Sequence, residues 1–297
     1  MLKPFKFLIE TNLFIAIAAV TFMWANIFLL DLKGQSFLFL SLQVFFSTWF
    51  VYQISRWVYF KKGEYASKQE IIVQWFEKYP KITKSTIYLS FLLTVIFTCF
   101  LKWKTIFVLC FLGFFSVLYP VPILKFMGIN TRLRDFPFVK LFLIALVWSV
   151  TSVILPITEA GIAITARKDV MVLLIAQFIY ILFITLPFDI NDAETDKTTD
   201  IKTIPSVFGI NASKTLAFVF CILYIFLILF IFMLINWNHA PNKFLSDYSM
   251  LSILIMVILL QVYTFLKADK VSKFWIKMVY DGSMIVYFLL LLLLNFR

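Results

Sequence analysis

Residues 188 to 205 read FDINDAETDKTTDIKTIP, and Asp189, Asp192, Glu194, Asp196 and Asp200 crowd there in a chain with only 16 acidic residues among 297. On a helix each residue advances about 100°, so Asp192 falls about 60° from Asp189, and Asp196 and Asp200 within about 20° of it. Four carboxylates thus share one face, while Glu194 points away. Like charges at that spacing repel, and the residues interleaved on the face are not basic, so the pattern asks for a cation. Carboxylate oxygens with no His or Cys nearby suit a hard divalent ion. Mg²⁺ in particular keeps its waters and bridges one or two carboxylates to phosphate oxygens. The bland alternative is a wet, acidic loop at a membrane edge, which sits poorly with the basic residues on the same side.

The elements that must position these residues are membrane helices. The chain is 62% hydrophobic, 19% aromatic and 14% charged, with a mean hydropathy of +0.95. Crossing the hydrocarbon takes about 20 apolar residues in a helix. The sequence divides into nine such runs: 12–31, 36–60, 85–101, 104–124, 138–157, 170–188, 213–236, 248–266 and 276–296. They are too long for barrel strands and do not alternate. The expected fold is therefore all-α, a polytopic bundle of nine transmembrane helices. With no Gly/Ser linker or low-complexity tract, residues 1–297 read as one domain. The first run reads as a retained helix, since its apolar core is too long for a signal peptide and no small-residue cleavage pattern follows it. Cys99, Cys110 and Cys221 lack metal-ligand spacing and read as apolar filling.

The net charge of +11 is explained by where the basic residues lie. With nine spans, the N-terminus and the loops after the second, fourth, sixth and eighth runs share a side, and that side holds most of the Lys and Arg. The positive-inside rule makes it cytoplasmic, in an integral protein of the cell membrane. The excess then reflects topology and attraction to anionic membrane lipids, with no nucleic acid implied. Within the 61–84 connection, SKQEIIVQWFEKYP begins with Ser67 and Glu70 in capping-box spacing and stops at Pro80. Ile71, Ile72, Trp75, Phe76 and Tyr79 gather on one side, which predicts a helix lying in the interface or covering a cavity mouth. Asn26, Gln43, Gln177 and Gln261 are expected to hydrogen-bond between helices. Asp281, near the cytoplasmic end of the last run, is expected to pair with a Lys or Tyr or to touch substrate.

Asp189, Asp192, Glu194, Asp196, Lys197, Ile201, Lys202, Thr203 and Pro205 match in register a known pattern, D-x-x-D-x-E-x-D-K-x-x-G-I-K-T-L-P. It is the second aspartate-rich motif of the UbiA superfamily of intramembrane prenyltransferases, which the chain resembles over essentially its whole length. The resemblance implies transfer of a prenyl group from a polyprenyl diphosphate to a lipophilic, commonly aromatic, acceptor. It also implies Mg²⁺ as cofactor, with Asp189, Asp192 and Asp196 as catalytic and metal-holding residues. Two departures stand out. Asp200 replaces the motif's Gly, and the 47–64 stretch STWFVYQISRWVYFKKGE has no acid where the family carries N-D-x-x-D-x-x-x-D.

In that stretch Tyr52 and Arg56 share a face with Gln53 beside them. Arg56 either binds diphosphate oxygens in place of one metal, with Tyr52 and Gln53 adding hydrogen bonds, or is an interfacial arginine reaching for the headgroups. By resemblance, Lys125, Arg132, Arg134 and Lys140 of YPVPILKFMGINTRLRDFPFVK are further diphosphate candidates. Lys197 and Lys202 touch phosphate or balance the aspartates. Since half of the expected metal site is missing, the alternative is a catalytically silent relative that binds isoprenoid or other lipid. A transporter or channel fits less well, because the acids cluster at one membrane face.

Overall fold

Hydrocarbon offers no partner to a backbone N–H or C=O, so a chain this apolar must satisfy them within helices. A computed structural model describes residues 3–32, 37–62, 71–118, 138–163, 167–198, 202–238 and 247–295, and no strand occurs among them. Helices α1 (Lys3–Glu10) and α2 (Leu13–Leu29) meet at 87°. Asn12 makes the corner at φ 60°, a left-handed conformation that Asn tolerates better than most residues. There follow α3 (Leu38–Lys62), α4 (Ile71–Lys78), α5 (Pro80–Thr98) and α6 (Trp103–Leu118). Next, α7 (Val139–Ser149) passes through one π-helical turn, Val150–Ile154, into α8 (Leu155–Ala160). The chain closes with α9 (Lys168–Thr198), α10 (Ile204–Phe208), α11 (Ile210–Asn238), α12 (Asp247–Lys267) and α13 (Lys273–Asn295).

Among the described residues, six helical stretches are long and apolar enough to cross a membrane: Leu38–Val58, Val139–Ala160, Lys168–Glu194, Ile210–Leu234, Tyr248–Lys267 and Lys273–Leu293. The bent pair α1 and α2 adds a seventh if taken as one span. The expected nine are not all reached. Of the runs at 85–101 and 104–124, residues 85–98 and 104–118 are helical, within α5 and α6, but α5 opens with Lys81 and Lys84 and carries several Ser and Thr. For α6, the described apolar stretch, Trp103–Ser116, is short for a span.

Helix α9 is the central post. It packs against α7, α11 and α13, while α2 packs on α13 and α3 lies between α2 and α5. Ala176, Tyr180, Phe183 and Leu186 of α9 are fully buried. A polar network threads this core: Gln177 donates to Asn26 Oδ1 at 2.7 Å, Tyr224 to the Tyr287 hydroxyl at 3.1 Å, and Tyr180 pairs with Ser283 at 2.7 Å. The expected interhelical role thus holds for Asn26 and Gln177. The side-chain oxygens of Gln43 and Gln261, like that of Gln177, are buried without a hydrogen-bond partner. Cys221 is buried as filling, whereas Cys99 and Cys110 are exposed with the many outward-facing Phe and Leu that suit contact with lipid.

In the amphipathic α4 the expected sides hold for Phe76, Gln74, Glu77 and Lys78, while Val73 joins the buried side and the side chains of Ile71 and Ile72 lie outside the described residues. Phe76 is buried, with Val73, against Trp57, Phe60 and Trp75, while Gln74, Glu77 and Lys78 are exposed. It ends at Lys78, and Pro80 opens α5, where a missing N–H costs nothing. The capping-box residues Ser67 and Glu70 lie outside the described residues.

Candidate active site

Pro187 lies inside α9 and lacks the N–H that would bond four residues back, loosening the helix just before Asp189. Beyond it the helix continues to Thr198, so Asp189, Asp192 and Asp196 fall on one face as their spacing predicts, while Asp200 lies outside the described residues. Asp189 and Asp196 are buried and Glu194 is exposed. The cations that the pattern asked for arrive from other elements. Lys140 of α7 places Nζ 2.5 Å from Asp189 Oδ1, and Lys273, the first residue of α13, places Nζ 2.9 Å from Asp192 Oδ1. Asp196 accepts a hydrogen bond from Thr203 Oγ1 at 3.0 Å. Burial raises the pKa of Asp196 above the ordinary carboxylate value, against the pull of Lys140 and the Thr203 hydrogen bond, and nearby Asp189 and Asp192 push it the same way.

Local structure explains the convergence. Phe138 precedes α7 at φ 64°, a strained conformation for a bulky residue, and its ring stacks on Phe208 with centroids 5.9 Å apart. That corner turns Lys140 toward α9. Thr203 caps α10 in a capping box with Ser206. Phe138, Lys140, Leu141, Asp189, Lys202, Thr203 and Ile204 line a small cleft, part of it open to solvent.

On the other side, Asn191 Nδ2 donates to the carbonyls of Ala268 at 3.0 Å and Val271 at 2.8 Å, fastening the turn before α13 to α9. Lys214 of α11 holds Asp269 of the same turn at 2.8 Å. The hydrogen bond from Lys214 keeps the Asp269 carboxyl below its usual pKa. These ties set Lys273 on Asp192.

The two ion pairs differ in worth. Asp192 and Lys273 retain 32% and 40% side-chain exposure, and pairs that open to water contribute about 0–1 kcal/mol. The Asp189 side chain is only 3% exposed, so its carboxylate depends on Lys140 for a partner.

The residues expected on α3 form a second group. Arg56 donates to Asn12 Oδ1 at the α1–α2 corner, and its guanidinium lies 5.5 Å from the centre of the Tyr52 ring. Asp281 of α13 lies near enough to Lys277 and Arg56 for their charges to act on it. Gln53 is buried and donates to Thr86 Oγ1 at 3.1 Å and to the Thr11 carbonyl, so it braces α3 against its neighbours. Lys202 is exposed at the cleft. Lys125, Arg132 and Arg134 lie outside the described residues, as does the side chain of Lys197. Sequence reasoning counted Lys273 only toward topology and gave Asn191 no role. Its one signal for Thr203 was the motif match.

Among the described residues no three Asp, Glu, His or Cys side chains converge closely enough to chelate an ion unaided. The donor set fits Mg²⁺ only as an ion shared between one or two of these carboxylates, water and phosphate oxygens, a mode common for this hard cation.

No family model and no curated protein matches the chain. Solved structures do. A UbiA homolog from Archaeoglobus fulgidus bound to DMAPP and Mg²⁺ aligns with a TM-score of 0.64 at 13% identity, over 96% of this chain and 98% of that one. The same homolog bound to GPP and Mg²⁺ gives 0.65 at 13% identity, over 96% and 99%. The apo UbiA homolog from Aeropyrum pernix K1 gives 0.63 at 10% identity, over 93% and 98%.

The chain has the fold of the UbiA homologs. Its α9 acids thus stand in a UbiA-like bundle, at the end of a central helix and beside a cleft that carries lysines.

Proposed function

We propose that this protein is a UbiA-type prenyltransferase, an integral protein of the cell membrane with its N-terminus in the cytoplasm. It takes a prenyl group from a polyprenyl diphosphate and passes it to a lipophilic, aromatic acceptor. The observation that carries this reading is the aspartate face of α9, Asp189, Asp192 and Asp196, set against Lys140, Lys202 and Lys273 in a bundle whose fold is that of proteins solved with DMAPP, GPP and Mg²⁺.

The chemistry follows from the charges. The allylic C–O bond breaks, diphosphate leaves with the electron pair, and the carbocation is attacked by the acceptor, which then loses a proton. Lys202, exposed at the cleft, draws the leaving anion, and Lys140, held on Asp189, adds positive charge beside it. Arg56, held by Asn12, adds positive charge from α3, with Tyr52 beside it. One or two of Asp189, Asp192 and Asp196 would hold Mg²⁺ beside the diphosphate, where it would supply further neutralisation of the leaving group. The apolar bundle keeps water from the cation.

The test is to incubate the purified protein with radiolabelled polyprenyl diphosphates, Mg²⁺ and a panel of aromatic acceptors. Labelled prenylated product is expected, with turnover falling at least about 100-fold in Asp192→Asn, the scale seen when one transition-state electrostatic group is removed. Tight binding of prenyl diphosphate without turnover of any acceptor would instead identify a silent lipid-binding relative.

A further inference from the structure

Lys273, Lys277 and Asp281 occupy positions i, i+4 and i+8 of α13, about 6 Å apart along the axis and on one side of it. The row joins the two polar groups described above. Its first member reaches Asp192 on α9, and its last lies within the field of Arg56 on α3. It therefore runs from the acidic wall toward the wall whose acids are missing, since no Asp or Glu occurs between Asp31 and Glu64. Lys273 and Lys277 each keep partial exposure.

We propose that Lys273 and Lys277 bind the substrate's diphosphate directly, supplying the positive charge that the absent α3 carboxylates and their metal would otherwise bring. This rests on the prenyl diphosphate reading above and assigns it two further binding residues. An ammonium group is a compact charge with three donors on a flexible stem, suited to phosphate oxygens that present no fixed plane. The Lys273 side chain keeps 40% exposure, so its amine can turn from the Asp192 carboxylate to a more highly charged phosphate. Lys140 differs, because leaving Asp189 would strand a buried charge. Asp281 balances Lys277 and Arg56 until the anion arrives.

The test uses the full chain in nanodiscs of neutral lipid and measures inorganic pyrophosphate binding by calorimetry, with Mg²⁺ and then with EDTA. Wild type is expected to keep binding in EDTA. Lys273→Met and Lys277→Met should each weaken that metal-free binding about tenfold or more, the scale of one lost charge-assisted hydrogen bond. Lys273→Arg and Lys277→Arg, which restore the charge, should recover most of it, as a merely structural role would not. Should Lys273→Met fail to fold, Lys273→Met combined with Asp192→Asn removes both charges and is read in EDTA in the same way.

Loss of all wild-type binding in EDTA overturns the proposal. So do Met variants that bind as wild type does while Asp192→Asn loses Mg²⁺-dependent binding, and in that case the prenyl diphosphate reading survives. A wild-type protein that binds neither pyrophosphate nor dimethylallyl diphosphate under any condition overturns both.

Discussion

Asp189 is a buried carboxylate with an amine brought to it from 49 residues away, and that arrangement sets the cost of disturbing it. Lys140→Met leaves the acid without its cation, and breaking one partner of such a pair typically costs about 3–5 kcal/mol. Denaturant unfolding in micelles should show a loss on that scale. Adding Asp189→Asn should recover more than half of it, because the two residues act as one unit. The acidic face itself was legible in the sequence, since three- and four-residue spacing alone decides which side of a helix a residue occupies. Its partners were not. Lys140 was one of four basic candidates in its loop, and nothing in the spacing distinguished it. What selects it is the left-handed corner at Phe138, a backbone conformation that Phe does not advertise. Lys273 was hidden for a different reason, because it belongs to a helix that meets α9 only in the folded bundle.

Among the elements, the turn between α12 and α13 governs where Lys273 points. Asn191 holds that turn through two hydrogen bonds, each worth about 1 kcal/mol net. Asn191→Ala should speed amide exchange in residues 268–272 about tenfold or more, read by mass spectrometry. The same exchange should respond to acid. The Asp269 carboxyl is held below its usual pKa by Lys214, so its contribution is complete above the ordinary Asp value of about 3.9 and fades as pH falls through the lower folded value. Lys214→Met should remove that acid step, and an unchanged step would reject this account. The helices were readable as apolar runs, but their breaks were less so. The 87° corner between α1 and α2 falls where three polar residues, Glu10, Thr11 and Asn12, join the amphipathic α1 to the apolar α2. Such a run does not announce so sharp a turn, which depends on the contacts that Asn12 and Thr11 make with α3.

For the molecule as a whole, apolar length and one motif were enough to anticipate a fold shared with proteins only 10–13% identical, because bilayer thickness and backbone hydrogen bonding leave few alternatives. The number of crossings was harder to fix, since α5 mixes Lys, Ser and Thr into its apolar run. Orientation can be measured directly. In a variant lacking Cys99, Cys110 and Cys221, an impermeant maleimide added to right-side-out vesicles should label Lys104→Cys, and Lys202→Cys only after permeabilisation. The reverse pattern would overturn the assigned cytoplasmic side. The lysines seated on Asp189 and Asp192 also bear on handling. Because these built-in ammonium groups already separate the carboxylates, the bundle should stay folded after exhaustive chelation, its melting temperature falling by no more than the free energy of metal binding itself accounts for. Samples stripped of divalent ions are then intact starting material, and any heat released on adding metal back reports the site and not a refolding protein.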